Sequence, residues 1–383
     1  MCRFFLLFLF LALAVPSSAQ MGMQPIVQSG SPEDRALREV DAATNPAQKI
    51  ELLDKFMAEF GKGDIVLLAY ERYISAYLAV KQYGKAFEYG DKALALDPDN
   101  FGIAYTLITP AAERGDAEHA FAFGERIAKM VERYRAAPPP EGADPETWEE
   151  RKKVTLNSLQ DQVTYVGQVL YTVGSHVSGP ATRAALLERF VAVFPESPFA
   201  ADAELLVTDA YGQAGNLARK VAFAEKVLAR NPDNSNMLVA LADHFAAQGE
   251  QLERAEQYAR KALRLIPQAE KPEYLAEGQW AQRKSLQTGL ARSALGQVYV
   301  HLVRDGEAVE PLRQAGPLLK PYPFYYGRNL YFLGFVLARM KRTTEAREVL
   351  TEAVAVDSPY RQRAQETLNK IGGPARRPAK KSS

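Results

Sequence analysis

The chain has 383 residues, 47% hydrophobic and 24% charged, with a formal net charge of +1. That balance is ordinary for a folded protein and supplies no general field favouring nucleic acid. The single cysteine, Cys2, lies at the extreme N-terminus, so disulfides, thiol nucleophiles and Cys-ligated metals are excluded from the rest of the chain.

Residues 1–19 read as a secretory leader. Arg3 is a minimal basic start, Phe4–Val15 is an unbroken apolar run, and Pro16-Ser17-Ser18-Ala19 offers small residues for cleavage before Gln20. The run falls short of the roughly 20 residues that span a bilayer. Cys2 precedes it and is not placed for lipidation after cleavage. The expected location is periplasmic or extracellular, with envelope association left open. Without the leader and the C-terminal basic residues, the body carries a formal charge of about −4.

Residues 20–31, rich in Gly, Met, Gln, Ser and Pro, read as a flexible lead-in. From Pro32 to about Asn369 the apolar spacing is helical, broken by short turn signals such as Arg114-Gly115-Asp116, Ala214-Gly215-Asn216 and Gln248-Gly249. Residues 137–147 contain Ala137-Pro138-Pro139-Pro140, whose prolines cannot continue a helix, and form the expected linker between segments 32–136 and 148–370. Residues 371–383 lack an apolar anchor and read as a disordered basic tail carrying Arg376, Arg377, Lys380 and Lys381.

The chain repeats itself. Pro46–Phe60, PAQKIELLDKFMAEF, returns as Pro180–Phe194, PATRAALLERFVAVF, and the register holds at an offset of 134 to Pro98-Asp99-Asn100 and Pro232-Asp233-Asn234. Trp148 and Trp280, the only tryptophans, open corresponding segments, each an elongated first helix or an added helix. A finer unit is sharpest near the C-terminus. Leu295-Gly296, Tyr299, Ala308, Leu312 and Ala315 are followed 38 residues later by Leu333-Gly334, Leu337, Ala346, Leu350 and Ala353.

This spacing resembles the tetratricopeptide repeat, a helix–turn–helix unit of about 34 residues, here in an exported bacterial setting. The resemblance covers most of the body and implies an all-α fold, a right-handed α-solenoid of tetratricopeptide-like repeats. It also implies a concave groove lined by the first helix of each pair. Carried onto this chain, the groove positions are Asn236, Val239 and Asp243; Gln297, Val300 and His301; and Arg328, Tyr331, Phe335 and Arg339. Aromatic and Arg residues dominate binding hot spots, which suits a groove for a protein or peptide segment. One groove position is Asp209, Asp243, Gln297 and Phe335 in successive units. It departs from the Lys/Asn clamp that holds chaperone tails.

No catalytic constellation is legible. His119, His176, His244 and His301 are far apart in sequence and lack metal-ligand spacing. Gly174-Ser175-His176 reads as a turn rather than a triad fragment. Neither a phosphate loop nor a cofactor motif is present. The expectation is a non-enzymatic scaffold without cofactor or metal, binding protein and not nucleic acid, with no membrane span after leader cleavage. Its oligomeric state is open. An envelope component used through its convex face or ends is the alternative, and a hydrolase comes third.

Overall fold

The computed structural model describes residues 21–371. The expected leader and basic tail lie outside the described residues. What is described is all-α, with 17 α-helices and one short 3₁₀ turn. The chain forms two compact units that divide at Val207/Thr208, away from the proline-rich connection.

The first unit contains α1 (Pro32–Ala42), α2 (Pro46–Phe60), α3 (Val66–Ala79), α4 (Tyr83–Leu96), α5 (Phe101–Glu113), α6 (Ala117–Ala136), α7 (Pro145–His176) and α8 (Pro180–Val193). The division falls within α9 (Ala200–Gln213). The second unit continues with α10 (Leu217–Arg230), α11 (Ser235–Gln248), α12 (Leu252–Leu265), α13 (Glu277–His301), α14 (Asp305–Leu319), α15 (Pro323–Arg339), α16 (Thr343–Ala355) and α17 (Arg361–Ile371). Among the described residues no helix is long and apolar enough to cross a membrane.

Local chemistry sets the helix starts. Pro32, Pro46, Pro145 and Pro180 each occupy the first turn, where a missing N–H costs nothing. Asn100, Asp116, Asp144 and Asn234 cap α5, α6, α7 and α11 by accepting a backbone N–H. The duplicated prolines at 46 and 180 are therefore duplicated helix starts. The linker expected over 137–147 is shorter than that, because α7 is already helical at Pro145.

Six turns inside helix pairs share one geometry. A left-handed residue ends the first helix of each: Lys81, Gly115, Gly215, Gly249, Val303 and Lys341, with φ between 58° and 72°; the Gly249 turn has a second at Gln251, φ 44°. In each, the next N–H returns to a carbonyl five residues back, as Gln82 does to Tyr77 and Arg304 to Tyr299. This satisfies the orphan carbonyls of the ending helix. Glycine suits that conformation, and a β-branched residue does not. Val303 is 69% exposed, so it gains little by burial. Left-handed strain of about 1–2 kcal/mol exceeds the extra chain entropy of glycine, about 0.5–1 kcal/mol. Val303→Gly should therefore raise the stability of the second unit by about 0.5–1 kcal/mol, read as a higher urea midpoint. An unchanged or lower midpoint would contradict the strain.

The tryptophan segments are elongated first helices, since α7 runs 32 residues and α13 runs 25. The first turns of α7 close the end of α6. Trp148 Nε1–H donates to Ala137 O at 3.1 Å, and buried Lys152 donates to Arg135 O and Ala137 O at 3.2 and 3.0 Å. A cation thus sits where a helix C-terminus presents unpaired carbonyls.

Glycine at the helix crossing lets two of the pairs close. A Cβ on Gly334 would lie 2.5 Å from Leu350 Cγ, and one on Gly296 would lie 2.8 Å from Leu312 Cδ2. These are equivalent positions 38 residues apart. The lead-in is not helical, yet it is seated on the first unit. Met21 is buried, Met23 N–H donates to Asp97 Oδ2 at 2.7 Å, and Val27 packs on the cluster of Leu37, Leu53, Phe56 and Tyr73.

Candidate functional site

The ten groove positions taken from the repeat spacing fall on α11, α13 and α15 of the second unit, but they do not form one open surface. Val239, Val300, Gln297 and Arg328 are buried. Gln297 Nε2 donates to Ser293 O and Ser293 Oγ at 3.2 and 3.1 Å. Arg328 pairs with Asp243, so α15 reaches the side chain of a residue on α11, two helix pairs earlier. Phe324 and Tyr325 lie 5.8 and 5.4 Å from the guanidinium. Burial disfavours the Arg328 charge, but the Asp243 carboxylate together with Tyr360 and Tyr325 holds the guanidinium pKa above its usual value. Arg328 was expected as an exposed anchor; it is a buried structural cation instead.

The same helices hold three buried polar atoms without a hydrogen-bond partner, Gln297 Oε1, Arg328 Nε and Asn329 Oδ1. Asn236 accepts from Gln287. Arg339 binds Asp305 and donates to Val300 O at 2.8 Å, with its guanidinium 5.4 Å from the Phe335 ring. His301 is exposed, with its ring 3.2 Å from where a Cβ on Gly249 would sit. Partial desolvation, with Arg339 nearby, lowers the His301 pKa, so the ring is neutral at pH 7. Tyr331, Phe335 and Arg339 keep part of their surface open. These residues largely engage one another.

The open groove lies in the first unit, where the repeat spacing had marked nothing. It runs between α5 and α7 and encloses about 710 Å³. Its floor is small and apolar: Ala112, Ala117, Val169, Val173 and Val177. A hydrogen bond of 3.1 Å between Thr109 Oγ1 and Tyr165 Oη bounds one side. Glu113, Gln168, Thr172 and His176 add polar rim positions. Along α7 the lining falls at 165, 168/169, 172/173 and 176/177, one helix face over three turns. The sequence signal was that stripe, which looks the same as an ordinary packing stripe. Gly115, in the turn between α5 and α6, adds no side chain to the lining.

Ser175 and His176 lie at the end of this groove and resemble a nucleophile and base only in sequence. His176 Nδ1 is 2.7 Å from Thr172 O, and Ser175 Oγ donates to the same carbonyl at 3.0 Å. A carbonyl only accepts, so Nδ1 carries the proton and cannot take one from Ser175, although the two atoms are 3.2 Å apart. Both residues belong to the last turn of α7 rather than to a loop. Among the described residues no three His, Cys, Asp or Glu side chains gather as a metal site requires.

No protein-family model matches this chain, and no curated protein matches it. Among the solved structures similar to it are two of tetratricopeptide type. One is the TPR domain of P58(IPK), at 13% identity over 89% of this chain and 97% of that chain, with a TM-score of 0.31. The other is the APC/C hetero-tetramer Cut9-Hcn1, at 13% identity over 88% of this chain and 62% of that chain, with a TM-score of 0.42. The fold of this chain is all-α, built of tetratricopeptide-like helix pairs, six of them closed by a left-handed turn and those at 296 and 334 also by a glycine at the crossing.

Proposed function

We propose that this chain is a non-enzymatic scaffold that acts outside the cytoplasm and seats a segment of a protein partner between α5 and α7. The observation that carries this reading is the open groove of about 710 Å³, with its apolar floor and sparse polar rim. A floor of that kind gains by burying apolar side chains, and the rim groups fix orientation. The hydrogen bonds of Ser175 and His176 support a binding role over a hydrolytic one. The export half of the proposal rests on the leader-like residues 1–19.

Photocrosslinking in cells tests the site. A photoreactive residue at Gln168 or Thr172 should trap one discrete partner, and one at Thr351 on α16 should not. Val173→Glu would bury a carboxylate under any apolar occupant and should weaken capture by about tenfold or more. Capture that survives Val173→Glu unchanged would remove the groove from consideration.

A second reading has its own support. Leu302, Val303 and Met340 are exposed at two consecutive turns of the second unit. They offer an apolar edge to an envelope assembly that uses the ends of the helix pairs. Crosslinks from position 303, with none from 172, would favour that reading.

A further inference from the structure

One patch of the second unit has a charge that packing does not call for. α10 carries Arg219, Lys220, Lys226 and Arg230 against Glu225 alone. α12, the second helix of the next pair, carries Arg254, Arg260, Lys261 and Arg264 against Glu253 and Glu256. The two lie side by side, since Arg254 binds Glu225 at 2.8 Å and Lys261 donates to Pro232 O at 2.7 Å. Further along the same unit the sign reverses. α14 and α16 each set three acids against a single arginine. The chain as a whole is close to neutral, so the basic patch is a local feature.

The internal duplication separates this charge from the scaffold. At the offset of 134, α10 is the copy of α4, with Arg219 in the place of Lys85 and Lys226 in the place of Lys92. In α4, Glu88 lies between those two lysines and binds both, at 2.9 and 2.8 Å. Its counterpart in α10 is Ala222. The copy thus keeps both cations and lacks the acid that neutralises them. Arg219, Lys226 and Arg264 are exposed and enter no ion pair among the described residues. Ala218, Ala222 and Ala229, also exposed, put only methyl groups between the cations of α10. α10 therefore forgoes the ion pairs that support α4, and Lys226 with Arg230 adds a like-charge pair one turn apart.

We propose that the α10–α12 patch docks the second unit onto the surface of an anionic lipid bilayer. Each Lys or Arg near such a surface raises partition by about fivefold. Headgroup phosphates match the guanidinium fork, and five of the eight cations are Arg. The patch lacks the features that other partners use. On α10 and α12, Leu217 is the one exposed large hydrophobic side chain, and no aromatic ring is exposed. A protein interface gathers aromatic anchors at its centre, and a single nucleic-acid strand needs rings on which to stack. At physiological salt the field decays over about 8 Å, so the facing helices decide the contact and the near-neutral total does not oppose it. The same surface repels the acids of α14 and α16, which orients the unit with α10 towards the headgroups. The contact needs no membrane-spanning helix.

This inference rests neither on the α5–α7 groove nor on the leader. Its test mixes the full chain with vesicles of phosphatidylcholine, with and without phosphatidylglycerol, and separates bound protein by flotation. The chain should float with the anionic vesicles and be released from them as salt is raised. Ala222→Glu rebuilds the arrangement of α4 at one exposed position. It should lower the partition by about tenfold or more, because two cations are neutralised. Arg219→Glu/Lys226→Glu/Arg264→Glu should abolish flotation. Lys55→Glu/Lys62→Glu/Lys153→Glu makes the same change of net charge on exposed residues of the first unit and should leave flotation nearly unchanged. All variants share both termini, so a contribution from the leader or the basic tail cancels between them. Flotation that does not depend on phosphatidylglycerol would overturn the proposal, as would equal losses in the two triple variants. If vesicles are ignored while immobilised polyglutamate retains the chain through Arg219, Lys226 and Arg264, the patch belongs to an acidic polypeptide and the membrane assignment is wrong.

Discussion

Asp243→Ala is expected to destabilise the second unit by about 3–5 kcal/mol, the cost of leaving one member of a buried ion pair without its partner. Arg328 is 3% exposed beneath Phe324 and Tyr325, and its Nε already lacks a hydrogen bond. The guanidinium cannot escape by losing its proton near neutral pH. Removing the carboxylate therefore leaves a buried charge with no counter-ion. Arg328→Met should cost less, because the Asp243 side chain keeps 14% of its surface exposed and can be hydrated. The double variant Asp243→Leu/Arg328→Met removes both charges and should recover most of the loss, since an apolar replacement of a buried pair is often neutral. Urea unfolding followed through Trp280 in a Trp148→Phe background separates these outcomes. A single Asp243→Ala loss below about 1 kcal/mol, the range of an exposed pair, would show that the pair is solvated.

The Arg328–Asp243 contact also shows where sequence reading reached its limit. The repeat resemblance placed both residues on first helices, and they lie on α11 and α15. It could not show how tightly successive first helices close, because that distance depends on side chains far apart in sequence; Arg328 and Asp243 are 85 residues apart. Hence Gln297 and Val300, read as groove residues, are core residues in the structure. The groove between α5 and α7 was hidden for the converse reason. Val169, Val173 and Val177 make an apolar stripe, and a stripe does not reveal whether another helix covers it. Local chemistry was far more legible. The turn signals at Gly115, Gly215 and Gly249 fall at left-handed turns, and the duplicated Pro46 and Pro180 fall at helix starts. Val303 and Lys341 occupy the same turn without its usual residue, so only the spacing of the repeat could have placed them.

Gly296→Val should destabilise the second unit by about 1–3 kcal/mol or more, the range for overpacking a closed core. The new Cβ would overlap Leu312 and come within 3.3 Å of the backbone carbonyl of Ala308. Leu312 is fully buried and cannot swing into solvent, and the carbonyl belongs to a helix that must move as a whole. The helices of the pair would have to separate, which also loosens Leu295 and Tyr299 beside them. Gly316 provides the contrast within the same pair. A Cβ there would meet only Asn329 Nδ2 and Tyr326 Cε2, at 3.9 and 4.0 Å. Gly316→Ala should therefore be neutral or stabilise by up to about 0.5–1 kcal/mol, because alanine is the better helix former. If the close approach at 296 sets the cost, Gly296→Ala and Leu312→Ala should couple. Their combined loss should fall short of the sum of the single losses by about 0.5 kcal/mol or more. Strict additivity in urea unfolding would mean that the helix crossing does not depend on this glycine. Gly334 with Leu350, one repeat later, gives an independent second measurement of the same contact.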